Sequence, residues 1–288
     1  MWAVFAYMSA PMSRPFLKMN GLGNDFVVVE ARSAPFAPTP DEVRAIADRG
    51  DGIGCDQLIV IEPPGAGTGV DARVKFWNAD GEEVAACGNG TRCVGWLLMQ
   101  ASGKDEAVIE TAAGRLTATR AGERLVSVDM GRPGLDWPDI PLASAQDTRA
   151  LDVVLYEHAS LMAPPGCVSM GNPHVVFFVP EAEAVPIAMI GPVIERHPLF
   201  PQKVNVGFAE IQARDRIRLR VWERGAGLTQ ACGTGACAAL VAASRRGLTD
   251  RRAIVEMDGG ELVVEWREAD GHVIMTGPAV LDFAGALP

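Results

Sequence analysis

Short runs with a β-like pattern punctuate the chain: Phe26 to Glu30, Gln57 to Ile61, Arg73 to Trp77, Leu125 to Asp129, Val175 to Val179, Ile217 to Trp222, Leu262 to Trp266 and Val273 to Thr276. Two stretches predict apolar helices instead. Thr91 to Ala101 and Thr234 to Arg246 are rich in Ala, Leu and Val, and each ends near a glycine, Gly103 or Gly247, as helix C-termini commonly do. A polar helix is predicted over Pro40 to Asp48. Gly131 to Ala150 and Pro180 to Pro201 are Pro-rich and charged in patches, and the first has the composition of a linker. The mixture predicts an α/β protein of the α+β type.

The chain also resembles itself at an offset of about half its length, the mark of duplicated architecture. Ala86-Cys87-Gly88-Asn89-Gly90 matches Ala231-Cys232-Gly233-Thr234-Gly235 at a shift of 145, and each motif opens one of the two apolar helices. Trp77-Asn78 matches Trp222-Glu223 at the same shift. Gly23-Asn24-Asp25-Phe26-Val27-Val28 matches Gly171-Asn172-Pro173-His174-Val175-Val176 at 148, and Gln57 before Leu58 corresponds to Asn205 before Val206. The matches occur in the same order in both halves.

Composition narrows the function. A net charge of −10 argues against a nucleic-acid partner, because phosphate backbones attract basic surfaces. At about 150 residues per domain the length suggests two domains. Six cysteines in 288 residues are too few for a disulfide scaffold, and a reducing, cytoplasmic setting is expected. Residues 1–13 are expected to be an extension, since MWAVFAYMSAPM lacks the basic start and full apolar core of a secretory signal. The uncharged window before Ser244 holds Gly, Thr, Gln and Ala rather than Leu and Ile, so no membrane span is predicted.

The two Cys-Gly-x-Gly helix starts carry the chemistry. A thiol in the first helical turn feels roughly half a positive charge from the helix dipole and lies near unpaired N–H groups, which lowers its pKa. The glycines that follow leave room for a carboxylate or phosphate to approach those N–H groups. In duplicated halves packed as a pseudo-symmetric pair, Cys87 and Cys232 face each other across a cleft. That arrangement suits inversion at carbon: one base takes the α-proton from one face and an acid returns a proton to the other. Lys18, Lys75, Lys104 and Lys203 stand in no context that suggests a Schiff base, which disfavours pyridoxal chemistry. Gly50-Asp51-Gly52-Ile53-Gly54 precedes a strand and so lacks the dinucleotide context, and His158, His174, His197 and His272 lack metal-ligand spacing. Cys55, Cys93, Cys167 and Cys237 are expected to be structural.

These motifs resemble those of diaminopimelate epimerases from Phe16 to about Thr276. The matching segments are Lys18 to Phe26, Gly52 to Gln57, Phe76 to Gly81, Cys87 to Cys93, Gly171 to His174, and Glu223 to Gly227 leading into Ala231 to Gly235. The resemblance implies two pseudo-symmetric domains, each a mostly antiparallel sheet curled round a central apolar helix, with the active site in the cleft between them. The halves are expected at 14–132, completed by 277–288, and at 133–276. Cys87 and Cys232 resemble the two catalytic bases, and His174 and Glu223 the pair beside them. Gly88, Asn89, Gly233 and Thr234 would hold the reacting carboxylate. Asn24, Gln57, Asn78, Asn172, Asn205, Glu223 and Arg224 match pocket positions, with Arg224 offering a planar fork to a distal carboxylate. The implied reaction interconverts LL- and meso-diaminopimelate without metal or cofactor, in a homodimer. A proline or hydroxyproline racemase of the same fold, and a non-catalytic amino acid binder, are the alternatives. Leu228 and Cys55 depart from the family pattern at positions the chemistry does not require.

Overall fold

The computed structural model describes residues 14–152 and 163–287; the expected extension at 1–13 and His158 lie outside them. The first half runs β1 (Pro15–Gly21), β2 (Asn24–Glu30), α1 (Pro40–Ala47), β3 (Gln57–Glu62), β4 (Ala72–Asn78), β5 (Glu83–Val84), α2 (Gly88–Ser102), β6 (Glu106–Thr111), β7 (Gly114–Arg120) and β8 (Leu125–Asp129). The second repeats it with β9 (Ala163–Ser169), β10 (Pro173–Phe178), α3 (Ile187–Glu195), β11 (Asn205–Ala213), β12 (Arg216–Glu223), β13 (Gly227–Thr229), α4 (Gly233–Arg245), β14 (Arg252–Met257), β15 (Gly260–Trp266) and β16 (Val273–Pro278), then adds β17 (Val280–Ala286).

Pairing registers reproduce the repeat. Phe26 lies opposite Gln57 in the parallel pair β2/β3, and His174 opposite Asn205 in the parallel pair β10/β11, the same positions 148 residues on. The parallel pair β4/β6 has its counterpart in β12/β14. The halves join where β8 pairs antiparallel with β16, and there Ser127 Oγ lies 2.6 Å from Thr276 Oγ1. The chain then crosses over: β17 pairs with β1 of the first half, while Gly134, just beyond β8, bridges to Ser169 at the end of β9.

Strand alternation explains how each half closes. In β2, Phe26 and Val28 face a core with Val94, Leu98 and Met99 of α2, while Val27 and Val29 face a second core with Val43 and Ile46 of α1. In β10, Val176 and Phe178 face Ala238, Leu240 and Val241 of α4, and Val175 and Phe177 face Ile190 and Ile194 of α3. A strand covered on both faces is apolar throughout, which is why these runs show no alternation in sequence. The sheet therefore curls round α2 and α4 and carries α1 and α3 outside.

The Thr39 side chain accepts from the Glu42 N–H and Glu42 reaches back to the Thr39 N–H, a capping box that starts α1 where a helix was predicted. That helix is amphipathic rather than polar, with Val43, Ile46 and Ala47 buried. The predicted helices over Thr91 to Ala101 and Thr234 to Arg246 lie within or close to α2 and α4, which both begin earlier, directly after the cysteines. Several features differ from expectation, the unpredicted strands β1, β9, β11 and β17 among them. The Pro-rich stretch Pro180 to Pro201 contains α3, held by packing around Ile187, Ile190 and Ile194 despite Pro192. The hairpins β6/β7 and β14/β15 carried no predicted strand except the latter's second arm, because half of their positions are polar and solvent-facing.

Candidate active site

The N-termini of α2 and α4 meet. A Cβ on Gly233 would lie 2.9 Å from Met275 Sδ and 3.2 Å from Asn89 Oδ1, and one on Gly88 would lie 3.0 Å from Met275 Cε. Met275, on β16, is thus wedged between the two helix starts. Gly90 and Gly235 are constrained in the same manner, by Ile59 and Phe76 in one half and by Val221 and the Cys232 sulfur in the other. These glycines answer to close packing as well as to ligand access, a need the sequence did not reveal.

Cys87 and Cys232 are the N-cap residues, with extended backbone at φ −140° and −124°. Both open onto one cleft of about 770 Å³, together with Asn24, Gln57, Asn78, Gly88, Asn89, Asn172, Glu223, Gly233 and Thr234. The Cys87 sulfur accepts from the Gly90 N–H at 3.4 Å, and the Cys232 sulfur lies 3.7 Å from Thr234 Oγ1. Burial pushes the Cys87 thiol up to about 11, against the Gly90 N–H and the Arg92 cation, while the negative Glu223 adds to the rise. Cys232, only 4% exposed, is raised further by burial and by Glu223. The predicted lowering by the helix ends is therefore present but outweighed: loss of water costs a thiolate more than one helix terminus returns. Glu223 is itself raised by burial, while Thr229 Oγ1 donates to its carboxylate and lowers it.

The amides are arranged by their neighbours. Asn24 Nδ2 donates to Asp56 at 2.7 Å, and Asn24 Oδ1 accepts from Asn89 Nδ2 at 3.3 Å. Arg49 joins Asp56 to Asp25, and although burial alone would raise Asp25, Arg49 and Lys18 hold it well below the usual carboxylate range. Arg49 and Asp56 also line the cleft; neither was assigned to it from sequence, although Asp56 lies inside the Gly52 to Gln57 motif. Gln57 Nε2 donates to Asn78 Oδ1 at 2.8 Å and leaves Gln57 Oε1 buried without a partner, an acceptor suited to an ammonium group.

Three expected residues stand outside the cleft lining. His174 is buried behind Asn172, with Nε2 3.0 Å from Asn172 Oδ1; burial lowers its pKa to about 3, and Arg224 adds to the shift. Asn205 is held at both ends, Nδ2 donating to the Pro173 carbonyl and Oδ1 accepting from the Arg224 N–H. The Arg224 side chain is exposed and donates to the Gln202 carbonyl at 2.9 Å. Cys55, Cys93, Cys167 and Cys237 are all buried and free. Among the described residues no group of three or more His, Cys, Asp or Glu is placed to hold a metal ion, and no helix is long and apolar enough to cross a membrane.

Comparison with known proteins places this geometry. The family model for diaminopimelate epimerase matches residues 16–135 and 166–281. A diaminopimelate epimerase of Phenylobacterium zucineum is 78% identical over 281 residues, covering 98% of this chain and 100% of that protein. One of Caulobacter sp. strain K31 is 61% identical, covering 96% and 98%. Among solved structures, a phenazine biosynthesis protein of the PhzF family from Enterococcus faecalis aligns with a TM-score of 0.69 at 14% identity, covering 96% of this chain and 100% of that one. A hydroxyproline epimerase from Agrobacterium vitis with bound trans-4-hydroxy-L-proline aligns at 0.64 and 16%, covering 97% and 94%. At those identities the structures share the fold, whereas the family match and the identity to curated relatives reach further: this chain belongs to the diaminopimelate epimerase family of isomerases.

Proposed function

We propose that the chain interconverts LL- and meso-diaminopimelate, a step toward lysine and peptidoglycan precursors, by proton transfer between Cys87, Cys232 and one α-carbon. The observation that carries this reading is the opening of both cysteine-capped helix starts onto a single cleft. In one direction a thiolate removes the α-proton, breaking C–H and forming S–H, and the opposing thiol delivers its proton to the other face, so configuration inverts and the sulfurs exchange roles. In the reverse direction they exchange again. The N–H groups at Gly88, Asn89, Gly233 and Thr234 meet the charge that develops on the carboxylate. Glu223 and the Gln57 oxygen are acceptors for ammonium, while Asn24, Asn78 and Asn172 hold the remainder of a long substrate with two amino acid ends.

His174 acts through Asn172, and Asn205 through the main chain at Arg224. The Arg224 guanidinium meets the distal carboxylate only after leaving the Gln202 carbonyl. The mechanism calls for neither metal nor pyridoxal phosphate, and a cytoplasmic setting goes with it, because the pair works only while reduced. A homodimer is part of the proposal: β17 pairs with β1 alone among the described strands and exposes Leu281 and Phe283.

Incubation with LL-diaminopimelate and, separately, L-proline in deuterated water tests the substrate class. Deuterium at the α-carbon of diaminopimelate alone is expected; incorporation into proline alone would overturn the assignment.

A further inference from the structure

Arg92 is the single charged residue of α2 and is wholly buried. Among the described residues its guanidinium meets no carboxylate. Nη1 donates to Asn89 Oδ1 at 2.8 Å and to Met275 Sδ at 3.6 Å, Nε donates to the Pro278 carbonyl at 3.2 Å, and Nη2 is buried without a partner. The fold keeps a slot for it: a Cβ on Gly277 would lie 3.1 Å from Nε and one on Gly21 3.3 Å from Nη2. Burial of an unpaired cation is heavily penalised unless an anion forms beside it. The anions this site would form are a thiolate and the substrate carboxylate.

The repeat supplies the contrast. At the offset of 145 that relates Cys87 to Cys232, Arg92 corresponds to Cys237, so one helix start has a buried cation and the other does not. Glu223 of β12 bears instead on Cys232 and, less closely, on Cys87. Arg92 and Glu223 are the charged groups acting on the pair; Asp56 acts on Glu223, and Asp282 on Cys93 beside Arg92.

We infer that Arg92 is a positioning residue that sets the order in which the pair ionises, Cys87 becoming thiolate while Cys232 is still a thiol, and that it orients Asn89 at the carboxylate end of the cleft. This rests on the two-thiol reading above. Once the pair has lost one proton, the buried guanidinium decides which sulfur lacks it.

The test is the pH dependence of alkylation by iodoacetamide, followed separately at Cys87 and Cys232 by peptide mass spectrometry and compared as midpoints, so that unequal access does not enter. The wild-type Cys87 midpoint is expected to lie below that of Cys232 by about one pH unit or more. Arg92→Met narrows the gap to what Glu223 alone maintains and lowers kcat, whereas Arg92→Lys keeps the order and raises KM, because an ammonium retains the charge without the fork. If Arg92→Met does not fold, Glu223→Gln decides: Cys87 still ionises first when Arg92 is the charge left acting on the pair. Equal or reversed midpoints in the wild type or in Glu223→Gln, or a folded Arg92→Met with an unchanged gap, overturn the inference. Failure of the two-thiol reading shows separately, as absent α-deuteration with the alkylation order intact.

Discussion

His174 Nε2 lies 3.0 Å from Asn172 Oδ1, and the same amide turns its Nδ2 toward Thr234 Oγ1 at 3.4 Å, which is 3.7 Å from the Cys232 sulfur. A histidine outside the cleft is thereby linked through two side chains to a thiol inside it. With its pKa held near 3, the imidazole stays neutral and donates through Nε2.

The first prediction follows from that neutrality. An NMR titration is expected to show no protonation of His174 between pH 5 and 8, so neither limb of the activity profile belongs to it. Because the folded pKa lies below the unfolded value, the unfolded chain binds more protons as pH falls from about 6.5 toward 3, and stability declines through that window by up to about 1.4 kcal/mol per pH unit. His174→Phe is expected to flatten the decline, measured by denaturation at pH 7 and pH 5. An imidazole that titrates near 6.5 in the folded enzyme contradicts the placement.

Glu223 raises both thiols, most strongly Cys232. Glu223→Gln removes that charge and is expected to move the acid limb of kcat/KM to lower pH while raising KM through the lost ammonium partner. An unmoved limb would mean that its carboxylate does not act on the cysteines.

Since the thiols titrate as a coupled pair, activity is expected to rise with pH as one ionises and fall when both have, a bell on the alkaline side of neutrality set by their burial. A profile still rising at strongly alkaline pH would count against paired roles.

Packing gives a fourth prediction. A Cβ on Gly95 would approach Ala118 Cβ to 2.4 Å, so α2 touches β7 with no room for a methyl group. Gly95→Ala is expected to destabilise by about 1–3 kcal/mol in equilibrium denaturation, despite the better helix propensity of alanine. Unchanged stability would show that the helix can move off the sheet.

Much of this architecture was legible because duplication repeats its least tolerant positions. Cysteine at two N-caps, followed by glycine where Met275 and the strands press close, leaves a motif that survives in both halves. Strands buried on both faces, such as Phe26 to Val29, were equally plain. The missed elements draw their stability from contacts that local sequence does not encode. Helix α3 contains Pro192, and its Gly191 is required by the Trp222 ring, which a Cβ would approach to 2.6 Å. Arg92 went unnoticed inside the Cys87 to Cys93 motif because nothing local distinguishes a buried arginine from a solvated one. His174, Asn205 and Arg224 were assigned to the pocket by pattern, but whether a side chain faces the cleft or stands behind it depends on its hydrogen-bond partners.

The central claim is that two sulfurs serve opposite faces of one carbon. It is tested most directly by following LL-diaminopimelate in deuterated water with the wild type, Cys87→Ser and Cys232→Ser, each shown to be folded. The wild type should give meso product carrying deuterium at the inverted carbon, and each variant should lose epimerisation by about 10²- to 10⁴-fold, the worth of a positioned acid or base. Epimerisation at the wild-type rate by either folded variant would contradict the account.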